Sequence, residues 1–204
     1  MSVRIKICGI TNSLDALAAV EAGANALGFI LYETSPRNLS ISAAAEIIRE
    51  LPPFVSKVGV FVNPSEEFVR RAISESGLDT VQFHGDEPPE FCRRFVVKTI
   101  KGFRIQAVES LRDLPRYETS AWLLDSYSPD RFGGTGAAFN WDLLGSTKKL
   151  GRPIILAGGL TAENVAEAVR RIEPFAVDVS SGVEIKPGKK DHAKVRAFIA
   201  AARG

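Results

Sequence analysis

Two side chains in this sequence stand where proton chemistry can happen. Cys8 ends the apolar stretch Val3-Arg4-Ile5-Lys6-Ile7 in "KICGIT", and Asp125 ends Trp122-Leu123-Leu124 in "WLLD". A free thiol titrates near pH ~8.5, and nearby cations or helix N-termini lower that value toward a usable thiolate. A carboxyl after an apolar run is partly desolvated, so its pKa is expected above the ordinary ~3.9 and it can keep a proton to donate. The two are a candidate general base and general acid. Each also has a plain reading: Cys8 as an inert buried thiol, Asp125 as the cap of the following turn. A metal role for Cys8 lacks partners, because the chain has only two cysteines, two histidines and no CxxC. A nucleophilic role needs a neighbouring base, and His84 falls three strands away in the order given below.

The next candidates are anion-binding. "AGGLTAENV" (157–165) reads as a strand end, two glycines and a helix start capped by Thr161, and "DVSSGVE" (178–184) as small residues after a strand. Glycine lets backbone N–H groups approach a ligand, and a helix N-terminus favours negative charge. Alone, each is also an ordinary tight turn; together they suggest a phosphate cradle of Gly158, Gly159, Ser180, Ser181 and Gly182. "FGGTG" (132–136), with Gly136, is a third such piece: a ligand-covering loop or a plain connection. Arg37 in "SPRN" can form a bidentate pair with a carboxylate, though lone loop arginines are commonly surface residues. His84 in "QFHGDE" can orient a ligand or cap a turn. Cys92 and His192 read as structural.

What positions these groups is a repeated alternation. Strand patterns fall at 3–8, 26–31, 57–62, 79–83, 96–100, 121–125, 153–157 and 175–179. Helical patterns fall at 14–22, 42–51, 65–75, 162–172 and 191–202, with weaker ones near 88–94, 108–113 and 141–149. The pattern E-x-G-x-[N/D]-x-[L/V]-x-F occurs at Glu21–Phe29 and again at Glu75–Phe83, as expected of a chain built from equal βα units. Eight strands alternating with about eight helices suggest a closed (β/α)₈ barrel, with an open doubly wound sheet as the alternative. No linker or low-complexity segment divides residues 1–204, which read as one domain. In a barrel the strand exits share one rim. Here they bring together Cys8, Ser35-Pro36-Arg37, Asn63, His84, Lys101, Asp125, Gly158-Gly159 and Asp178 through Gly182. Cys8 and Asp125 then face each other across a ligand whose phosphate rests on the last two units. That arrangement suits isomerisation of a phosphosugar from aldose to ketose.

Bulk properties exclude other classes. The 204 residues carry a formal net charge of +2, are 45% hydrophobic and 25% charged, and contain no strongly basic segment, which argues against nucleic acid as a partner. No apolar run approaches the ~20 residues of a membrane span, and residues 1–15 lack a signal-peptide core. Two cysteines make no disulfide framework. A cytoplasmic protein is expected, either monomer or homodimer.

The motifs "KICGIT", "GFI…SPR", "VGVF", "VQFHGDE", "LLDS", "FGGTGAAFNW", "ILAGGLTAENV" and "DVSSGVE…PGKKD" occur in this order over nearly the whole chain. In this the sequence resembles the N-(5′-phosphoribosyl)anthranilate isomerase family of tryptophan biosynthesis. The resemblance implies a (β/α)₈ barrel without metal or cofactor. It implies an Amadori rearrangement of a phosphoribosyl substrate, with Cys8 as base and Asp125 as acid. It further implies that Arg37 meets the anthranilate carboxylate, beside His84 and Asp178 as substrate-binding residues. It places the phosphate at the glycine-rich ends of strands seven and eight; the expected phosphate-binding residues are Gly136, Gly158, Gly159, Ser180, Ser181 and Gly182. Two positions depart from the pattern: Asn140 stands where Asp is expected, and Ala162 where Pro is common at the helix start. A related isomerase of histidine biosynthesis uses an aspartate in place of Cys8 and a substrate with two phosphates. The acidic "NPSEE" after strand three offers no second phosphate site.

Overall fold

Side chains along a strand alternate between two faces, so a strand between helices and a barrel interior must satisfy both. In Arg4–Cys8 (β1), Ile5 and Ile7 enter the core under the helices while Lys6 and Cys8 turn inward. A computed structural model describes residues 2–105, 108–125 and 151–204. The other barrel strands are Ala26–Ile30 (β2), Ser56–Phe61 (β3), Thr80–Phe83 (β4), Lys98–Arg104 (β5), Ala121–Asp125 (β6), Ile154–Ala157 (β7) and Ala176–Val179 (β8). They pair in parallel in chain order, and β1 pairs with β8, Arg4 beside Ala176, to close the barrel. The open-sheet alternative is thereby excluded.

The helices are Ser13–Glu21 (α1), Ile41–Arg49 (α2), Glu66–Ser76 (α3), Pro89–Cys92 (α4), Val165–Ile172 (α5) and His192–Arg203 (α6). Asn12, Ser40, Ser65 and Asp191 cap α1, α2, α3 and α6 by accepting hydrogen bonds from first-turn N–H groups. Gly77 ends α3 in the left-handed conformation that the repeated E-x-G pattern anticipates.

The large core lies between strands and helices, with Leu27, Phe29, Val81 and Phe83 against Ala16, Ala19, Val69 and Ala72. A smaller one, Val58, Ile100, Leu123, Ile155 and Ala176, fills the barrel toward the strands' N-terminal ends. Toward the other ends the inward positions become polar, and the functional rim begins there. Among the described residues no helix is long and apolar enough to cross a membrane.

Several boundaries move. β5 spans Lys98–Arg104, not 96–100, because Val96 is left exposed while Ile100 and Gly102 take the inward positions. Lys101 is therefore buried on the outer face, paired with Glu87, and not at the barrel mouth. The helix expected near 108–113 is two 3₁₀ turns, Val108–Leu111 and Leu114–Arg116, anchored by buried Leu111 and Leu114 and interrupted before Pro115. α5 starts at Val165, not 162; Asn164 precedes it and its Oδ1 accepts from the Thr161 N–H, so Thr161 is not the cap. After β8 the chain adds an unexpected hairpin, Glu184–Lys186 (β9) with Lys189–Lys190 (β10). The helix expected at 141–149, "FGGTG" with Gly136, and Asn140 lie outside the described residues.

Candidate active site

The strand exits enclose a cavity of about 350 Å³. Cys8 and Asp125 both line it, on strands separated by β7 and β8. Gly158, Gly159, Ser180, Ser181 and Gly182 line the stretch between them, and Arg37, His84 and Asp178 complete the predicted set. Tyr32, Ser35 and Gln82 also reach this cavity. Asn63 does not: its backbone N–H binds Glu87 and its side chain accepts from the Asp86 N–H, pinning the loop after β4.

Cys8 sits in a wall of buried charge. Two residues earlier on the same inward face, Lys6 donates to Asp178 at 2.9 Å. Lys190 donates to the Cys8 carbonyl at 2.5 Å and to Glu184 at 2.8 Å. Glu184 in turn holds Arg37 through two bonds, Nε to Oε1 at 2.8 Å and Nη2 to Oε2 at 2.6 Å. The carboxylate that pairs with Arg37 in this structure thus belongs to the protein. Two glycines make this packing feasible. A Cβ on Gly28, opposite Cys8 on β2, would lie 2.7 Å from Sγ, and one on Gly9 would lie 2.6 Å from the Arg37 side chain.

Burial pushes the Cys8 thiol up, the Asp178 charge adds to this, and Lys6 and Lys190 only partly oppose it. The expected lowering by nearby cations is therefore reversed, because removal from water outweighs them. Burial alone would lower Lys6, but Asp178 and the thiol hold it above the ordinary lysine value. Lys190 falls below that value through burial, with Glu184 in opposition. Burial would raise Glu184, yet Arg37 and Lys190 hold it below the usual glutamate range.

Asp125 has quieter surroundings. Its Oδ2 lies 3.3 Å from His84 Nε2, and both side chains are about one-fifth exposed, at 22% and 20%. His84 Nδ1 lies 3.0 Å from the Gln82 amide nitrogen. Between the two walls, Gly158 and Gly159 take φ of 89° and 63°, a region open to glycine. Ser180 Oγ is buried with no hydrogen-bond partner among the described residues.

A family model for N-(5′-phosphoribosyl)anthranilate (PRA) isomerase matches residues 5–201. The chain belongs to this family. An N-(5′-phosphoribosyl)anthranilate isomerase of Geobacter sulfurreducens is 54% identical over 202 residues, 99% of each chain. A crystal structure of the phosphoribosylanthranilate isomerase of Thermotoga maritima shares 45% identity with a TM-score of 0.94, covering 99% of both chains. Another crystal structure of such an isomerase, in complex with reduced 1-(o-carboxyphenylamino)-1-deoxyribulose 5-phosphate, shares 43% identity with a TM-score of 0.91 at the same coverage.

Within this isomerase fold, sequence reasoning passed over Lys6, Gln82, Glu184 and Lys190. Two of them left a signal. Lys6 and Gln82 each precede a named residue, Cys8 or His84, by two positions, which puts both on the same inward face. Glu184 and Lys190 left none, since only the hairpin after β8 brings them to Cys8 and Arg37.

Proposed function

We propose that the chain converts N-(5′-phosphoribosyl)anthranilate to 1-(o-carboxyphenylamino)-1-deoxyribulose 5-phosphate in tryptophan biosynthesis, with Cys8 as general base and Asp125 as general acid. The observation that carries these roles is the placement of the two groups on opposite walls of one cavity, with glycine- and serine-rich loops between them. Ser180 Oγ has a hydroxyl to offer a phosphate oxygen, beside Gly158, Gly159, Ser181 and Gly182. Glu184 takes Nε and Nη2 of Arg37, leaving Nη1 toward the aminobenzoate carboxylate. Asp178 lines the floor, where it holds Lys6 beneath Cys8.

The steps balance as proton transfers. Asp125 gives its proton to the furanose ring oxygen. The C1′–O bond breaks with its electrons going to oxygen, and the nitrogen lone pair closes a C1′=N iminium. Cys8 thiolate takes the C2′ proton, the C–H electrons form C1′=C2′, and the iminium electrons return to nitrogen. The enolamine then gives its C2′ hydroxyl proton to solvent and takes one from solvent at C1′, the C1′=C2′ electrons forming the new C–H bond, which leaves the ketone. C2′ is oxidised as C1′ is reduced within the same substrate, so no external redox carrier enters the scheme. The family model's span over residues 5–201 and the closure of β1 on β8 support reading the chain as a single domain.

Incubating the pure protein with phosphoribosylanthranilate and following loss of its fluorescence tests the reading. Cys8→Ser and Asp125→Asn should fold, bind the reduced product analogue and lose roughly 10²–10⁴-fold in turnover, the range for one general acid or base. Near-wild-type turnover in either variant removes that residue's role.

A further inference from the structure

The proposed chemistry leaves a debt at the end of each cycle. Asp125 has lost a proton to the ring oxygen and Cys8 has gained one from C2′. Before the next turnover Asp125 must be protonated again. Nothing on the Cys8 wall can do this directly, since β7 and β8 lie between that wall and β6.

His84 stands at the right place. Its Nε2 is 3.3 Å from Asp125 Oδ2 although β5 runs between their strands. The ring crosses β5 at Gly102, where a Cβ would lie 2.5 Å from Nδ1. A residue without a side chain at that one position opens the path from β4 to β6. The ring also lines two cavities at once: the substrate cavity and a second of about 510 Å³ bounded by Asn63, Gly85, Phe103 and Tyr117. His84 is thus part of the wall between the reacting centre and a separate space.

We propose that His84 reprotonates Asp125 after each turnover, passing it a proton taken up from the second cavity, with Gln82 fixing the ring's tautomer. This rests on Asp125 as the general acid.

The amide of Gln82 decides which ring nitrogen carries the proton. As placed, its NH₂ faces Nδ1 at 3.0 Å and its Oε1 is buried without a partner. Amide oxygen and nitrogen exchange places by a half-turn. In the turned arrangement Oε1 accepts from Nδ1–H, and the NH₂ takes the former place of Oε1. Nε2 then lacks a hydrogen and accepts from protonated Asp125. Once Asp125 has given its proton to substrate, Nε2 takes one from a solvent or buffer acid, and Cys8 returns the C2′ proton to solvent. The imidazolium passes it to the carboxylate and the starting arrangement returns. Each step moves one proton, and Nδ1–H stays on Gln82 throughout.

The charges around the ring fit a relay. From β6 it meets Asp125. In the second cavity stand Lys101 and Arg104 from β5, Asp86 from the loop after β4, and Asp113 from between the 3₁₀ turns. Lys101 is committed to Glu87, and across the substrate cavity lie Cys8, Arg37 and Asp178.

The test compares steady-state turnover with a single turnover at enzyme excess, in His84→Phe and His84→Ala. A single pass uses the proton already on Asp125, whereas repeated passes need the relay. We expect single-turnover rates close to wild type and steady-state kcat lowered roughly 10²-fold, the scale of one lost proton-transfer group. Steady-state kcat in the variants should also depend on buffer concentration and fall more steeply as pH rises. Added imidazole should restore His84→Ala, and a far-UV spectrum and Tm matching wild type report an intact fold. The relay is overturned if kcat stays at wild type with no buffer dependence. It is equally overturned if both rates fall by one factor and imidazole restores nothing. Asp125→Asn separates the two readings. If it still turns over, the acid assignment fails; if it is inactive while the His84 variants are normal, only the relay fails.

Discussion

The wall that holds Cys8 and the wall that holds Asp125 solve different electrostatic problems. The thiol is buried among three cations and two carboxylates, linked as Lys6–Asp178 and Lys190–Glu184–Arg37. The carboxyl meets one imidazole and an amide, at a site partly open to water. A base that must lose its proton in a dry place needs nearby positive charge, and burying that charge in turn demands paired carboxylates. An acid that must be reloaded each cycle needs a route to water instead. The protein therefore places dense, fixed charge on one side and a titratable, partly exposed pair on the other.

Breaking the buried charge should show the largest effect. Lys6→Met leaves Asp178 unpaired in the floor of the cavity. We expect about 3–5 kcal/mol less stability, the cost of one orphaned buried charge, measured by urea unfolding. Lys6 also lowers the Cys8 thiol, so its loss should move the alkaline rise of kcat/KM, where the thiolate appears, to still higher pH. An unchanged profile would mean that Lys6 does not act on the base.

Glu184→Gln should act on binding more than on chemistry. Losing one charge-assisted partner of Arg37 is worth about 1.5 kcal/mol, roughly tenfold in KM, with kcat less affected. An equal fall in kcat would place Glu184 in the proton chemistry instead. A control thiol gives the smallest effect. Cys92 is also buried, burial pushes it up to about 11, and Lys101 alone among nearby cations opposes this. The unfolded chain ionises this thiol near pH ~8.5, so the stability it contributes is present below that value and is lost as pH rises toward about 11. Cys92→Ala should flatten that alkaline loss of Tm without moving the alkaline limb of activity, which the proposed mechanism assigns to Cys8.

Eight strands, their exits and the residues at them were legible in the sequence because each depends on local pattern. Alternation in "VRIKIC" and apolar closure in "AWLLD" put Cys8 and Asp125 at the barrel mouth, and the glycine pairs marked the loops between them. The weaker crossover near 108–113 read as helix because Leu111 and Leu114 are spaced as a helix would space them, yet Pro115 and the longer β5 leave room only for 3₁₀ turns. Lys101 read as a rim residue because the apolar run seemed to end before it.

Sequence alone determined the barrel, its rim and the residues proposed as base and acid, since these follow from periodicity and from residue types that few other positions could supply. Tertiary structure alone decided the state of those groups. The direction of the Cys8 shift is a contest between burial and two lysines, one of them 182 residues away along the chain. The partner of Arg37 is a carboxylate 147 residues distant, and the contact of His84 with Asp125 requires a glycine on the strand between them. Such terms depend on distance through space and on exclusion of water, and neither is written in the local order of residues.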